Sequence, residues 1–167
     1  INGIDSIIYD GELMKTIINT NITSAKMMGV DLIYNQKINE KLSVKSISSF
    51  VNAISSDSLP LAHIPPLSSR LQFNYLVSKN SSFSFYSIYN SWKKAEDFDV
   101  NGVDNFEEAT IDGTPSWYTL NLRYSRKINN FQLSISCENI LDAHYKTFAS
   151  AISSSGRNFI VNLQSQF

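Results

Sequence analysis

From Trp117 to the final residue, Phe167, the chain alternates apolar and polar side chains with a period of two. In 158–167, Phe159, Val161, Leu163 and Phe167 fall on one face, with Asn158, Asn162, Gln164 and Gln166 on the other. In 117–125, Tyr118, Leu120, Leu122 and Tyr124 oppose Trp117, Thr119, Asn121, Arg123 and Ser125. Successive side chains of a strand point to opposite sides, so this pattern marks strands with one apolar and one wet face.

Seven such segments can be read, at about 22–37, 42–56, 68–78, 82–94, 116–127, 131–142 and 157–167, with 1–8 as the end of an eighth. The alternation is plain in 68–78, where Leu71, Phe73, Tyr75 and Val77 share a face, and in 28–37, where Met28, Val30, Leu32 and Tyr34 do. It is muddier in 42–56 and 82–94, because Ile47, Val51, Ile88 and Trp92 fall on the nominally polar side.

The connections carry as much information as the strands. Those near 39–41, 79–81 and 128–130 are short, polar and suited to hairpin turns, whereas those at about 57–67, 95–115 and 143–156 are long. Short and long alternate strictly, which sends every long loop to one end of an antiparallel sheet. Membrane barrels of the outer-membrane type are built this way, and strands of roughly 9–11 residues suit a tilted crossing. Tyr, Trp and Phe near the strand ends (Tyr34, Tyr75, Trp92, Trp117 and Phe131 among them) fit interfacial girdles.

Composition agrees. A net charge of −1 with 17% charged residues argues against a nucleic-acid partner. With 43% hydrophobic residues the chain is too apolar for disorder, yet no apolar run is long enough for a transmembrane helix. The single cysteine, Cys137, lies in phase with Phe131, Leu133 and Ile135 and reads as an ordinary apolar-face residue. No nucleophile elbow, phosphate-binding glycine loop or Ser–His–Asp pattern is present, so an enzyme is not expected.

Two further patterns concern ligands. The segment 96–112 holds seven of the fifteen acids, and Asp97, Asp99, Asn101, Gly102 and Glu108 fit the spacing of a calcium loop. Asp104 stands where such a loop has an aliphatic residue, and the flanks read as strands. His63 and His144 both fall in long loops, where imidazole could meet a ligand or serve a haem, beside the plainer reading as surface histidines.

Several short elements together resemble the C-terminal end of TonB-dependent outer-membrane receptors. They are Glu138-Asn139-Ile140-Leu141-Asp142-Ala143-His144-Tyr145, then Gly156-Arg157-Asn158-Phe159, and a last strand closing on Phe167. Upstream, Gly113-Thr114-Pro115 before an aromatic strand, Leu61-Ala62-His63-Ile64-Pro65-Pro66, and Gly29-Val30-Asp31 also fit, although Asp31 replaces the usual Glu and no Pro precedes Gly156.

The resemblance, over about residues 20–167, implies an all-β fold: seven to eight C-terminal strands of a 22-stranded, plugged, antiparallel transmembrane β-barrel. Residues 1–167 would form part of that barrel without its plug, in the outer membrane of a Gram-negative bacterium. It further implies active uptake of a scarce ligand (ferric siderophore, haem, cobalamin or glycan) and coupling to TonB through an N-terminal part. Phe159, Val161, Leu163 and Phe167 would then carry the signal read by the barrel assembly machinery, as well as facing lipid. Two alternatives remain at this point: a small self-closing barrel that uses 1–8 as its eighth strand, and a soluble β-sandwich binding module.

Overall fold

The computed structural model describes residues 6–16, 24–99 and 103–165. Its main body is one antiparallel sheet of seven strands. In chain order these are β3 (Ala25–Lys37), β4 (Leu42–Ser55), β5 (Ser68–Ser78), β6 (Ser81–Asn90), β9 (Trp117–Ile128), β10 (Phe131–Glu138) and β11 (Asn158–Ser165). Their order across the sheet is β11-β10-β9-β6-β5-β4-β3, so every neighbour in space is the nearest main-sheet strand along the chain. Two small hairpins stand apart: β1 (Ser6–Tyr9) with β2 (Glu12–Lys15), and β7 (Lys93–Lys94) with β8 (Gly113–Thr114). No helix among the described residues is long and apolar enough to cross a membrane.

All seven strands expected from the alternation are present. The largest differences are at two strand ends and in the eighth segment. The segment expected to run to 94 stops at Asn90, the last residue in register with β9, and Lys93–Lys94 turns away to pair with Gly113–Thr114. The segment expected to run to 142 stops at Glu138, because Asn139 takes a left-handed φ of 49° and begins a turn. The expected eighth strand is a short hairpin: Ser6–Tyr9 folds back on Glu12–Lys15 around Asp10 and Gly11, both at positive φ, the conformation that an Asp-Gly pair favours. Residues 1–5 lie outside the described residues.

Register extends the two faces across the whole sheet. On one face Phe73, Phe85, Leu122, Cys137 and Phe159 lie side by side from β5 to β11. On the other, Gln72, Tyr86 and Asn121 do so, with Arg123 and Ser136 one step along. Ile47 pairs with Arg70, Ile88 with both Arg70 and Thr119, and Val51 with Gly29, so these apolar residues do sit on the polar face.

Burial is inverted relative to a water-soluble sheet. Tyr86, Thr119 and Asn121 are each 3% exposed and Ser136 is 4% exposed, all on the polar face. The apolar face is open, with Phe159 73%, Val161 69% and Leu163 65% exposed. A soluble sandwich would bury this second set between two sheets. Here a single sheet buries the first. The fold is all-β and matches part of a β-barrel, with β3 and β11 as its two edges among the described residues.

Candidate functional site

The polar face forms a wall lined by hydrogen bonds. Arg70 donates from Nη2 to Gln72 Oε1 at 3.0 Å, and its guanidinium lies 4.1 Å from the centre of the Tyr86 ring. Tyr86 Oη donates to Glu138 Oε1 at 3.1 Å, and Arg123 Nε donates to Ser136 Oγ at 3.0 Å. Gln72, Asn74 and Ser84 continue the chain of bonds towards the short turns. Above Arg70, Tyr86, Arg123 and Glu138 opens a cavity of about 580 Å³, bounded on the loop side by Tyr145 and 152–156. Such a surface offers both charged and neutral hydrogen-bonding groups to a polar occupant.

At the loop-bearing end, the three long connections (56–67, 91–116 and 139–157) are tied to one another. The His63 N–H donates to Asp104 Oδ1 at 2.8 Å, and Lys93 Nζ donates to the Ile64 carbonyl at 2.8 Å, joining the first loop to the second. Asn105 Nδ2 donates to the Ala149 carbonyl at 3.0 Å, and Lys146 Nζ reaches Glu108 Oε2 at 3.1 Å, joining the second to the third. Phe98 is the centre of an apolar cluster, in edge contact with Phe106 and Phe148 at 5.0 and 5.4 Å between ring centres. Trp117 and Tyr145 stack at 4.0 Å.

Two charges are sealed inside this cap. Asp104 is 1% exposed and Lys93 is 6% exposed. Burial pushes the Lys93 ammonium below its ordinary pKa, against the pull of Asp97 and Asp104, which favour the charged form. Lys93 Nζ also lies 5.2 Å from the centre of the Phe148 ring. Lys93 binds the Ile64 carbonyl and Asp104 the His63 N–H, so each buried charge fastens the first loop to the second, and breaking either contact leaves a buried charged group with less compensation.

The sequence motifs find their physical reasons here. Asn139 is 4% exposed. Its Nδ2 donates to the carbonyls of Ala143 at 2.8 Å and Ser155 at 3.3 Å, and its Oδ1 accepts from the Ala143 N–H at 2.9 Å. Its own N–H donates to Asn121 Oδ1 at 2.9 Å, which anchors the corner to the polar wall. Asp142 Oδ1 accepts the Arg157 N–H at 2.7 Å, while Arg157 Nε donates to the Ile140 carbonyl at 2.9 Å. A Cβ on Gly156 would stand 2.6 Å from Asp142 Oδ1, so a side chain there would displace the carboxylate that accepts the Arg157 N–H. Asn139, Asp142, Gly156 and Arg157 thus clamp the start of the third loop to its end. Gly113 has φ +102°, and a Cβ there would meet the Lys93 carbonyl at 2.1 Å.

The ligand residues expected from sequence are partly dispersed. Among the described residues no group of three or more His, Cys, Asp or Glu side chains is placed to hold a metal, and the turn at the centre of the calcium-like spacing, 100–102, lies outside them. Glu108 is engaged with Lys146, and Asp99 Oδ2 accepts the Val103 N–H at 2.7 Å. Asn101 lies outside the described residues, as does Phe167. Asp104, the residue that departs from the calcium pattern, is instead the most buried acid. His63 packs at the seam with Asp104, its backbone at φ 63° and its ring 75% exposed. His144 lines a different cavity, of about 290 Å³, with Trp117, Tyr145 and Lys146. Phe159, Val161 and Leu163 share the open face of β11 as expected. Sequence reading missed Lys93 and the clamp role of Asn139; for the latter, a lone Asn followed by Asp three residues on was the available turn signal.

No protein-family profile matches the chain, and no curated protein sequence matches it. Solved structures do. One of them, the copper transporter OprC, superposes with a TM-score of 0.75 at 21% identity, covering 89% of this chain and 24% of that one. At that identity the likeness establishes the fold. The chain spans about a quarter of the length of that protein.

Proposed function

We propose that this chain is the C-terminal portion of the barrel of a TonB-dependent outer-membrane receptor, which takes up a scarce ligand such as a ferric siderophore, haem, cobalamin or a glycan. One observation carries the reading: at the centre of the sheet, on β6, β9 and β10, the buried side chains are those of the polar face (Tyr86, Thr119, Asn121 and Ser136), while Phe85, Leu122 and Ile135 on the apolar face are open. Lipid around the barrel and a polar lumen require that arrangement, and water on both faces does not. The strict alternation of short turns and interlocked long loops supports it, as does the transporter whose fold the chain shares.

In this reading the wall of Arg70, Tyr86, Arg123 and Glu138 faces the lumen and its plug, and the joined loops cover the outer mouth. The protein is a transporter, with TonB engaged by a part of the polypeptide N-terminal to this one. The test is the intact mass of the native polypeptide that ends in this sequence, extracted from outer membranes. A mass several times 18.8 kDa, with migration that shifts on boiling in SDS, is the expected result. A water-soluble product near 18.8 kDa would sink the proposal.

The open edge of β11 is the place where assembly machinery would pair with the chain, with Phe159, Val161 and Leu163 alternating along it. Deleting Phe167 is expected to lower the outer-membrane level of the receptor severalfold with synthesis unchanged, read by fractionation and immunoblot. Normal levels of the truncated receptor would remove that role.

A further inference from the structure

The two ends of the sheet differ sharply in charge. The loop end carries the acids of 96–112, whereas the three tight turns carry Lys37, Lys41, Lys79, Arg126 and Lys127 against one acid, Glu40. Glu40 is taken by Lys37 at 3.0 Å. Lys41, Lys79, Arg126 and Lys127 have no carboxylate within ion-pairing distance among the described residues.

Backbone bonds hold these turns side by side. The Leu76 N–H donates to the Lys41 carbonyl at 2.7 Å, and the Lys127 N–H donates to the Asn80 carbonyl at 2.8 Å. Between the second and third turns lies a groove of about 500 Å³. Val77, Tyr124 and Ile128 form its apolar part, and Asn80, Arg126 and Lys127 its polar part.

Arg126 occupies a particular place. It follows Tyr124 by two residues on the apolar face and pairs in register with Ser81. Tyr124 in turn packs against Phe83 at 4.9 Å. A guanidinium directly beyond an aromatic level, at the end of an apolar band, is positioned for its stem to lie along lipid and its head to reach the headgroup layer. The planar fork matches two phosphate oxygens, and Lys127 on the neighbouring face adds a second charge.

We propose that this turn-end groove binds the headgroup phosphate of an anionic phospholipid in the leaflet that the short turns reach. The proposal rests on the outer-membrane reading above. It assigns the opposite leaflet no such site, since the loop end is acidic. The groove is formed by β5, β6, β9 and their turns, and these strands have partners on both sides, so it does not depend on the open edges of the sheet.

The test uses the full receptor polypeptide in a non-ionic detergent, with native mass spectrometry of bound phosphatidylglycerol against phosphatidylcholine. The wild type is expected to prefer phosphatidylglycerol. Arg126→Gln and Lys127→Gln, which line the groove, are each expected to lower that preference about fivefold, as one cation near an anionic surface does, and the triple change that adds Lys79→Gln, next to Asn80 of the groove, is expected to lower it further. Lys79→Arg with Lys127→Arg, which keeps the charge, is expected to retain it. Should the triple change impair assembly, the single Lys127→Gln decides. An unchanged preference in the folded triple variant overturns the proposal, as does retention of an acidic polypeptide in place of lipid. If the protein is absent from the membrane fraction and does not shift on boiling, the membrane reading itself fails, which is distinguishable from a membrane protein without lipid preference.

Discussion

Asn139→Ala is expected to destabilise the loop-bearing half strongly. It removes three side-chain hydrogen bonds at a site 4% exposed and leaves the Ser155 carbonyl and both Ala143 backbone groups to find other partners. It also places alanine at φ 49°, a conformation that costs a non-glycine residue roughly 1–2 kcal/mol. With about 1–3 kcal/mol for a buried group left unpaired, the combined loss is about 2–5 kcal/mol. The readout is the temperature at which the boiling-resistant band disappears. Asn139→Gly separates the two contributions, since glycine accepts the dihedral without restoring the bonds, and should recover about 1 kcal/mol. A variant as stable as the wild type would show that the corner is held by the Asp142–Arg157 contact alone.

The second large effect distinguishes lipid from water. Leu122 lies on the apolar face between Phe85 and Cys137 and is 38% exposed. In a membrane barrel, Leu122→Arg puts a charge near the middle of the bilayer, at about 2–4 kcal/mol. In a water-soluble sheet the same change at a partly open position costs within about 0.5 kcal/mol. Ser134→Arg, on the polar face between Ser125 and Asn162, is the matched control and is expected to be tolerated. Urea unfolding in lipid vesicles reads both. Equal stability of the two variants would contradict a lipid-facing Leu122.

Much of this fold is legible in the sequence because its strands obey the simplest periodic rule. Where Tyr118, Leu120, Leu122 and Tyr124 alternate with polar residues, tertiary context has nothing to override, and β9 begins at Trp117. The mixed strands are explained by the barrel wall: Ile47, Val51 and Ile88 sit on the polar face among Arg70, Thr119 and Gly29, where a mainly polar lining still accepts apolar neighbours. Long-range ties were not legible. Phe98 meets Phe148, and Lys146 meets Glu108, across the second and third loops, and no local pattern announces such pairs. The calcium-like spacing of Asp97, Asp99, Asn101 and Glu108 has its central turn, 100–102, outside the described residues, and ligand spacing gathers side chains only where the backbone wraps to bring them together.

The sequential strand order has a consequence for how such a molecule is made. Each strand of the main sheet bonds only to the one before and the one after it, and no connection passes over another strand. Growth can therefore proceed one hairpin at a time, with every new strand supplied by the chain that has just been laid down. Only the joining of the first edge to the last demands an encounter between remote segments, and the loop-closure entropy of that single encounter falls on the final step. A barrel organised in this way elongates readily and closes slowly, so its exposed edges are the long-lived intermediate that a cell must shelter.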